Sequence, residues 1–216
     1  MPSITRRRSD AADRRGGVET QILDTVARLL AEGAGYTELG VQRIAAESGV
    51  ARSTFYLYFA DKTQLLLRLA ASMSQTSFDI TAAWRPEAGV DALTATFTEV
   101  IATYRANAAL LTAVQETSAY DPAVRDFWDG RLEAFRDNTR QLIAAEQAAG
   151  RTPADIDPAV ATHLMIDGGD RFLLHHVTTD DGSGDAAAAR ELATTWWYGI
   201  FRRPAQTELR RRPTKG

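Results

Sequence analysis

Cysteine is absent from all 216 residues, which excludes disulfides, thiolate nucleophiles and Cys-ligated zinc. Histidine is scarce, with three residues. None sits in a His-Glu-x-x-His pair or in the Glu-x-x-His pattern of helical di-metal sites, so no metal is expected. No run approaches the roughly 20 apolar residues of a membrane span. Arg6, Arg7 and Arg8 are followed by no apolar stretch, so neither a signal peptide nor a twin-arginine export signal is supported, and a cytoplasmic protein is expected. A phosphate loop, dinucleotide-binding glycines and a nucleophile elbow are all missing. A helical enzyme is therefore the weaker alternative, and no cofactor is implied.

Period-two alternation is lacking too, whereas apolar residues recur at i, i+3 and i+4 throughout, which predicts an all-α fold of about nine helices. Ile22, Leu23, Val26, Leu29 and Leu30 form a first stripe, ended by Gly33-Ala34-Gly35. Val41, Ile44 and Ala45 give a short second helix closed by Gly49, and a third runs from near Ala51 to Phe59. Asp61 suits the N-cap of a fourth, carrying Leu65, Leu66 and Leu69 to about Ser77. Trp84-Arg85-Pro86 marks a break. Beyond it, helices are expected over Val90–Ala106, Leu110–Ser118, Pro122–Ala149, Ala159–His176 and Ala186–Phe201. Residues 1–17 are polar and Arg-rich, so a disordered arm is expected there, and a frayed basic tail over 204–216.

The net charge of −3 is unevenly distributed. Met1 to Lys62 carries nine Lys/Arg against eight Asp/Glu, and the remainder 16 against 20, so the front is weakly positive and the rest acidic. That asymmetry suits local contact with nucleic acid by one small domain.

Spacing sharpens this. In Ile44-Ala45-Ala46-Glu47-Ser48-Gly49-Val50, two inward residues precede a glycine able to take positive φ, followed by Val50 as a hinge plug. Such a segment fixes two helices at the steep angle of a helix-turn-helix. In the next helix Phe55 and Phe59, four apart, face the core. Arg52, Ser53, Thr54, Tyr56 and Tyr58 remain on or near the outer side, a surface without carboxylates that suits a major groove. Tyr56 and Tyr58 as half-buried packing residues, and Arg43 as solvated charge, are the bland alternatives. Lys62, beside Asp61 at a helix start, is placed to share a phosphate with that helix N-terminus.

Residues Ile22 to Leu66 resemble the DNA-binding domain of TetR-family regulators. The resemblance rests on Gly35-Tyr36, Ile44-Ala45, Gly49-Val50, Thr54-Phe55-Tyr56, Tyr58-Phe59, Asp61-Lys62 and Leu65, in order and spacing. It implies that Arg52, Ser53 and Thr54 approach base edges, while Gln42, Arg43, Thr54, Tyr56, Tyr58 and Lys62 hold the DNA backbone. Gly40 and Ala51 stand where polar N-caps are usual, and Ser53 where glycine is frequent, which weakens the caps without removing the fold.

The same resemblance implies an N-terminal three-helix helix-turn-helix domain over 18–64, joined by a long helix to a helical effector-binding and dimerisation domain over 65–203. It implies double-stranded operator DNA, a small hydrophobic effector and a second copy of the chain as partners, the dimer forming through the last two helices, with no membrane involved. The order Phe127-Trp128, Phe135, Trp196 is similar to the ethionamide-resistance repressor branch, which implies an elongated aromatic-lined pocket. Trp84, Phe97, Tyr104, Trp128 and Phe135 are the aromatic candidates for lining it, with Asn138, Met165, Phe172 and Trp196 completing the set; ordinary core packing is the alternative for each. Gly168 and Gly169 either permit close helix approach or loosen the helix beside a ligand. His163, Asp167, Asp170, Arg171 and His175 read as an ion-pair network or interface in preference to a metal site. The arginines of the N-terminal arm either reach DNA or solubilise, and those of the C-terminal tail read as solvated. The function expected is a repressor released from its operator by the effector, with an effector-independent regulator acting through a protein partner as the alternative.

Overall fold

The computed structural model describes residues 4–204, with side chains from residue 16 onward. Among these residues there are ten α-helices and no strand: α1 (Ile4–Ala31), α2 (Val41–Glu47), α3 (Arg52–Tyr58), α4 (Lys62–Ala83), α5 (Gly89–Ala106), α6 (Ala108–Ser118), α7 (Pro122–Gly130), α8 (Glu133–Ala148), α9 (Pro158–Thr179) and α10 (Asp185–Trp196). A 3-10 turn (Pro86–Ala88) precedes α5, and a π-helical turn (Trp197–Phe201) follows α10. No helix among the described residues is long and apolar enough to cross a membrane.

Two expectations are corrected. Helix α1 begins at Ile4 and passes through Gly16-Gly17, where a disordered arm was expected. Arginine and alanine, abundant before Gly16, are strong helix formers, and each glycine costs only about 1 kcal/mol. The helix expected over Pro122–Ala149 is two, because the chain turns at Arg131 and Leu132 between α7 and α8. The tail arginines Arg210, Arg211 and Arg212 lie outside the described residues.

The chain divides into two compact units. The first comprises residues up to Ser72 together with Ala109–Trp128. Its core takes Ile22, Val26, Leu29 and Leu30 from α1, Ile44 and Ala45 from α2, Phe55 from α3, Phe59, and Leu65 and Leu66 from α4, all buried. The turn after α2 follows from Gly49, at φ 65°. Its N–H bonds the Ala46 carbonyl at 3.0 Å and that of Val50 bonds Ala45 at 2.9 Å, the paired closure of a Schellman motif that only glycine enters without strain. The Asp61 carboxylate caps α4 by accepting from the Gln64 N–H at 2.7 Å, and Gln64 reaches back to the Ala60 N–H at 2.6 Å, close to the reciprocal pattern of a capping box. Gly40 and Ala51 cap α2 and α3 without any side-chain bond.

The second unit comprises Met73–Ala108 and the chain from Asp129 onward. Here α5 packs on α10 and α9, and α9 also on α8. Leu93, Phe97 and Ile101 of α5, Met165, Ile166 and Leu173 of α9, and Ala188, Ala189 and Ala193 of α10 supply the core. Small residues on α10 let it lie close to α5. Gly169 does the same for a ring: a Cβ there would stand 3.2 Å from Trp196.

Candidate functional site

In the first unit the outer face of α3 follows from helix geometry. Phe55 is fully buried and anchors the helix. At about 100° per residue, the positions opposite it are Ser53 and Leu57. Both are exposed, Leu57 to 82 %. Arg52 and Tyr56 form one flank, with the guanidinium 5.7 Å from the tyrosine ring centroid. Thr54 and Tyr58, both half-buried, form the other. Gln42 and Arg43 project from α2, exposed. The one carboxylate in α2 and α3, Glu47, is held by Arg28 at 3.1 Å, which leaves the face free of uncompensated negative charge.

Lys62, expected at a phosphate, also makes contacts within the first unit. Its Nζ donates to the Tyr36 carbonyl at 2.7 Å and to that of Thr37 at 3.3 Å, and lies 4.7 Å from the Tyr36 ring centroid. In the turn after α1 the Tyr36 carbonyl also accepts from the Leu39 N–H at 3.3 Å, and the lysine adds a second donor to it and one to Thr37. Burial lowers the pKa of this ammonium. Leu57, by contrast, carried no apolar-periodicity signal, since it falls opposite the buried stripe; its exposure singles it out only once Phe55 is placed.

The second unit holds two adjoining cavities. One, about 50 Å³, is lined by Trp84, Phe97, Phe135, Asn138, Met165 and Trp196 among others. The second, about 40 Å³, adds Tyr104 and shares Phe97, Phe135 and Trp196. Seven of the nine expected lining residues are thus brought together. The walls are braced by ring contacts: Phe97 on Trp196 at 4.8 Å, Phe135 on Phe78 at 5.3 Å and Trp84 on Phe201 at 5.3 Å. The other two are not there. Trp128 belongs to the first unit. Phe172 is 41 % exposed and stacks on His176, because its position on α9 falls one turn beyond Gly168, on the outward stripe.

Asp170 does not pair with its neighbour Arg171. It accepts from the Tyr104 hydroxyl at 2.9 Å and pairs with Arg131 at 2.5 Å. Burial, and then the Asp170 charge, push the Tyr104 phenol up, so it stays a hydrogen-bond donor. Asp167 pairs with Arg136 at 2.7 Å and His163 at 3.1 Å. His176, Asp180 and Asp185 bring donor atoms within 4.8 Å of one another. Arg105 already supplies the positive charge there, with both Asp185 oxygens and the Asp180 carbonyl bonded to its guanidinium. Ser77 was missed, although a signal existed: it continues the stripe Leu66, Ala70, Met73 on α4 as a polar residue in an apolar row.

Residues 22–69 match the family model described as bacterial regulatory proteins, tetR family, and residues 93–201 match that of the C-terminal domain of the transcriptional regulator EthR. The HTH-type transcriptional regulator EthR of Mycolicibacterium smegmatis is 29% identical over 153 residues, covering 68% of this chain and 70% of the relative. Among the solved structures that share the fold are two regulators named FadR. The fatty acid degradation regulator FadR from Bacillus halodurans has a TM-score of 0.69 and 21% identity, over 86% of this chain and 97% of its own. FadR from Bacillus subtilis, in complex with stearoyl-CoA, has a TM-score of 0.66 and 21% identity, over 84% and 98%.

Proposed function

This chain belongs to the TetR family of bacterial regulatory proteins, and from that premise we propose that it is a cytoplasmic, homodimeric repressor whose hold on an operator is released by a small, mainly apolar molecule in its second unit. The observation that carries the DNA-binding part is the outer face of α3: Ser53 and Leu57 at its centre, Arg52 and Tyr56 beside them, and no uncompensated carboxylate on α2 or α3. Base edges meet Ser53, Leu57 and Arg52; Gln42, Arg43, Thr54 and Tyr56 hold the phosphates.

A second copy of the chain is supported by the outward face of α9. Val160, Leu164, Gly168 and Phe172 recur every four residues, and the three large ones are 66 %, 72 % and 41 % exposed. A Cβ at Gly168 would meet nothing within 4 Å, which leaves room for a helix of the partner. Pairing through α9 and α10 gives a four-helix bundle and the two recognition helices that a twofold operator needs, about 34 Å apart or more. Helix α4 runs unbroken from the first unit into the second, so ligand-dependent strain in one is passed to the other through a continuous element.

A second reading, an effector-independent regulator acting through a protein partner, is favoured by the small size of the cavities, which fall well below the roughly 300 Å³ or more of typical ligand sites. Under the first reading the aromatic walls part on ligand entry. The test of the DNA-binding part is a gel shift with duplexes selected by the full chain from a random library, repeated with Ser53→Glu. Retardation by the wild type, lost in a variant with unchanged melting temperature, supports it. Equal retardation by both, or none by the wild type, overturns it. Release of the duplex by an apolar ligand then separates the two readings.

A further inference from the structure

The smaller cavity of the second unit has a polar end. Ser77, Tyr104 and Asp170 line it beside Phe97, Leu132 and Trp196. Ser77 is 1 % exposed, and its Oγ has no hydrogen-bond partner among the described residues. A buried hydroxyl in that state has lost its hydration without a replacement, and here it borders an open volume. On the same wall Asp170 is held by Arg131 and Tyr104, its side chain 11 % and that of Arg131 4 % exposed. The Arg131 charge balances that of Asp170, so this end is polar yet without net charge. A carboxylate oxygen has more than one acceptor position, which leaves Asp170 able to accept from a further donor.

We infer that this end of the cavity is a subsite for an uncharged hydrogen-bonding group, an amide or a hydroxyl, at one end of an otherwise apolar effector whose body occupies the adjoining Trp84–Met165 cavity. An amide N–H or an alcohol O–H donates to Asp170 and its oxygen accepts from Ser77, satisfying a hydroxyl that the fold leaves unpaired. A carboxylate would leave water for a poorly solvated site whose nearby positive charge, Arg131, is already committed to Asp170. A quaternary ammonium offers no donor and faces a carboxylate already neutralised. The inference rests on the reading of the second unit as the effector-binding body.

The test is calorimetric titration of the full chain, at neutral pH and without DNA, with octanamide, 1-octanol, octanoate and octyltrimethylammonium. Octanamide and octanol are expected to bind at least about tenfold more tightly than either ion, since an ion buried without a free counter-charge loses its hydration uncompensated. Ser77→Ala is expected to weaken octanamide about five- to tenfold, the loss of one hydrogen bond, while leaving the melting temperature unchanged or higher, because its hydroxyl bonds nothing among the described residues. Octanoate binding as well as octanamide, or Ser77→Ala binding octanamide as wild type does, overturns the subsite and leaves the effector-binding reading standing. Binding of none of the four overturns both.

Discussion

Lys62 and Tyr36 clasp each other: the lysine Nζ donates to the Tyr36 carbonyl at 2.7 Å, and the tyrosine hydroxyl donates back to the Lys62 carbonyl. The pair ties the start of α4 to the loop after α1, so Lys62 acts on the fold of the first unit before it acts on DNA. Lys62→Met is expected to lower the melting temperature of that unit and leave the salt dependence of DNA affinity nearly unchanged. Arg43→Ala is expected to do the opposite, keeping the melting temperature and reducing the slope of log K against log salt by about 0.9 for each phosphate no longer neutralised. A slope reduced by Lys62→Met at constant stability would restore the lysine to phosphate binding.

Leu57 is too exposed for a packing role and stands beside Ser53 at the centre of the outer face of α3. An apolar side chain on such a face suits the thymine methyl group. Replacing each thymine of the selected duplex with uracil, one position at a time, should reveal a position where affinity falls by roughly fivefold or more, within the usual scale of single-base discrimination. Leu57→Ala should erase that difference while leaving stability alone. A uracil series without effect, or one that Leu57→Ala does not flatten, contradicts the contact.

The core was readable in the sequence where its cause is local. Phe55, Phe59, Ile44 and Gly49 sit as their spacing requires, because a short helix and a glycine turn leave few alternatives. The lining of the two cavities was readable for a weaker reason, that large aromatics on helices of an acidic, apolar-rich region end up inside. What stayed hidden depends on partners distant in sequence. The turn between α7 and α8 interrupts a periodicity that continues through Trp128, Leu132 and Phe135, and Arg131, within that turn, pairs with Asp170, 39 positions away. Asp170 had an obvious neighbour in Arg171, but adjacent residues do not face each other on a helix. Phe172 failed as a cavity residue for the same reason in reverse: its helical register places it outward with Val160 and Leu164.

That outward stripe gives a prediction about assembly. Leu164→Glu places a charge in the centre of the α9 face and should convert a dimer to a monomer in sedimentation or light-scattering measurements. DNA affinity should fall by at least about tenfold, since a single recognition helix reads too few bases. A variant that remains dimeric would move the interface away from α9.

Glu146 predicts the acid behaviour of the second unit. It is buried at the end of α8, where Arg151 lies at 2.5 Å and Arg202 at 2.8 Å. The hydrogen bonds from Arg151, and then from Arg202, outweigh burial and hold its carboxyl below the usual range. The folded chain therefore binds this proton less readily than the unfolded one. The stabilisation is complete above the ordinary value of about 4.3 and is lost as pH falls through the lower folded value. Glu146→Gln should cost on the order of 2 kcal/mol at neutral pH and make the melting temperature of this unit less sensitive to acid below about pH 4. Parallel pH profiles for variant and wild type would contradict this.

The central claim, that the outer face of α3 reads duplex DNA as one half of a dimer, meets its most direct test in the ratio of two affinities. Fluorescence anisotropy with the full chain would compare a duplex recovered from a random library with an unrelated duplex of equal length at the same salt. The account predicts a recovered sequence with two inverted half-sites, bound at least about 10³-fold more tightly than the unrelated one. A ratio near one, or recovery of no shared sequence, would contradict it.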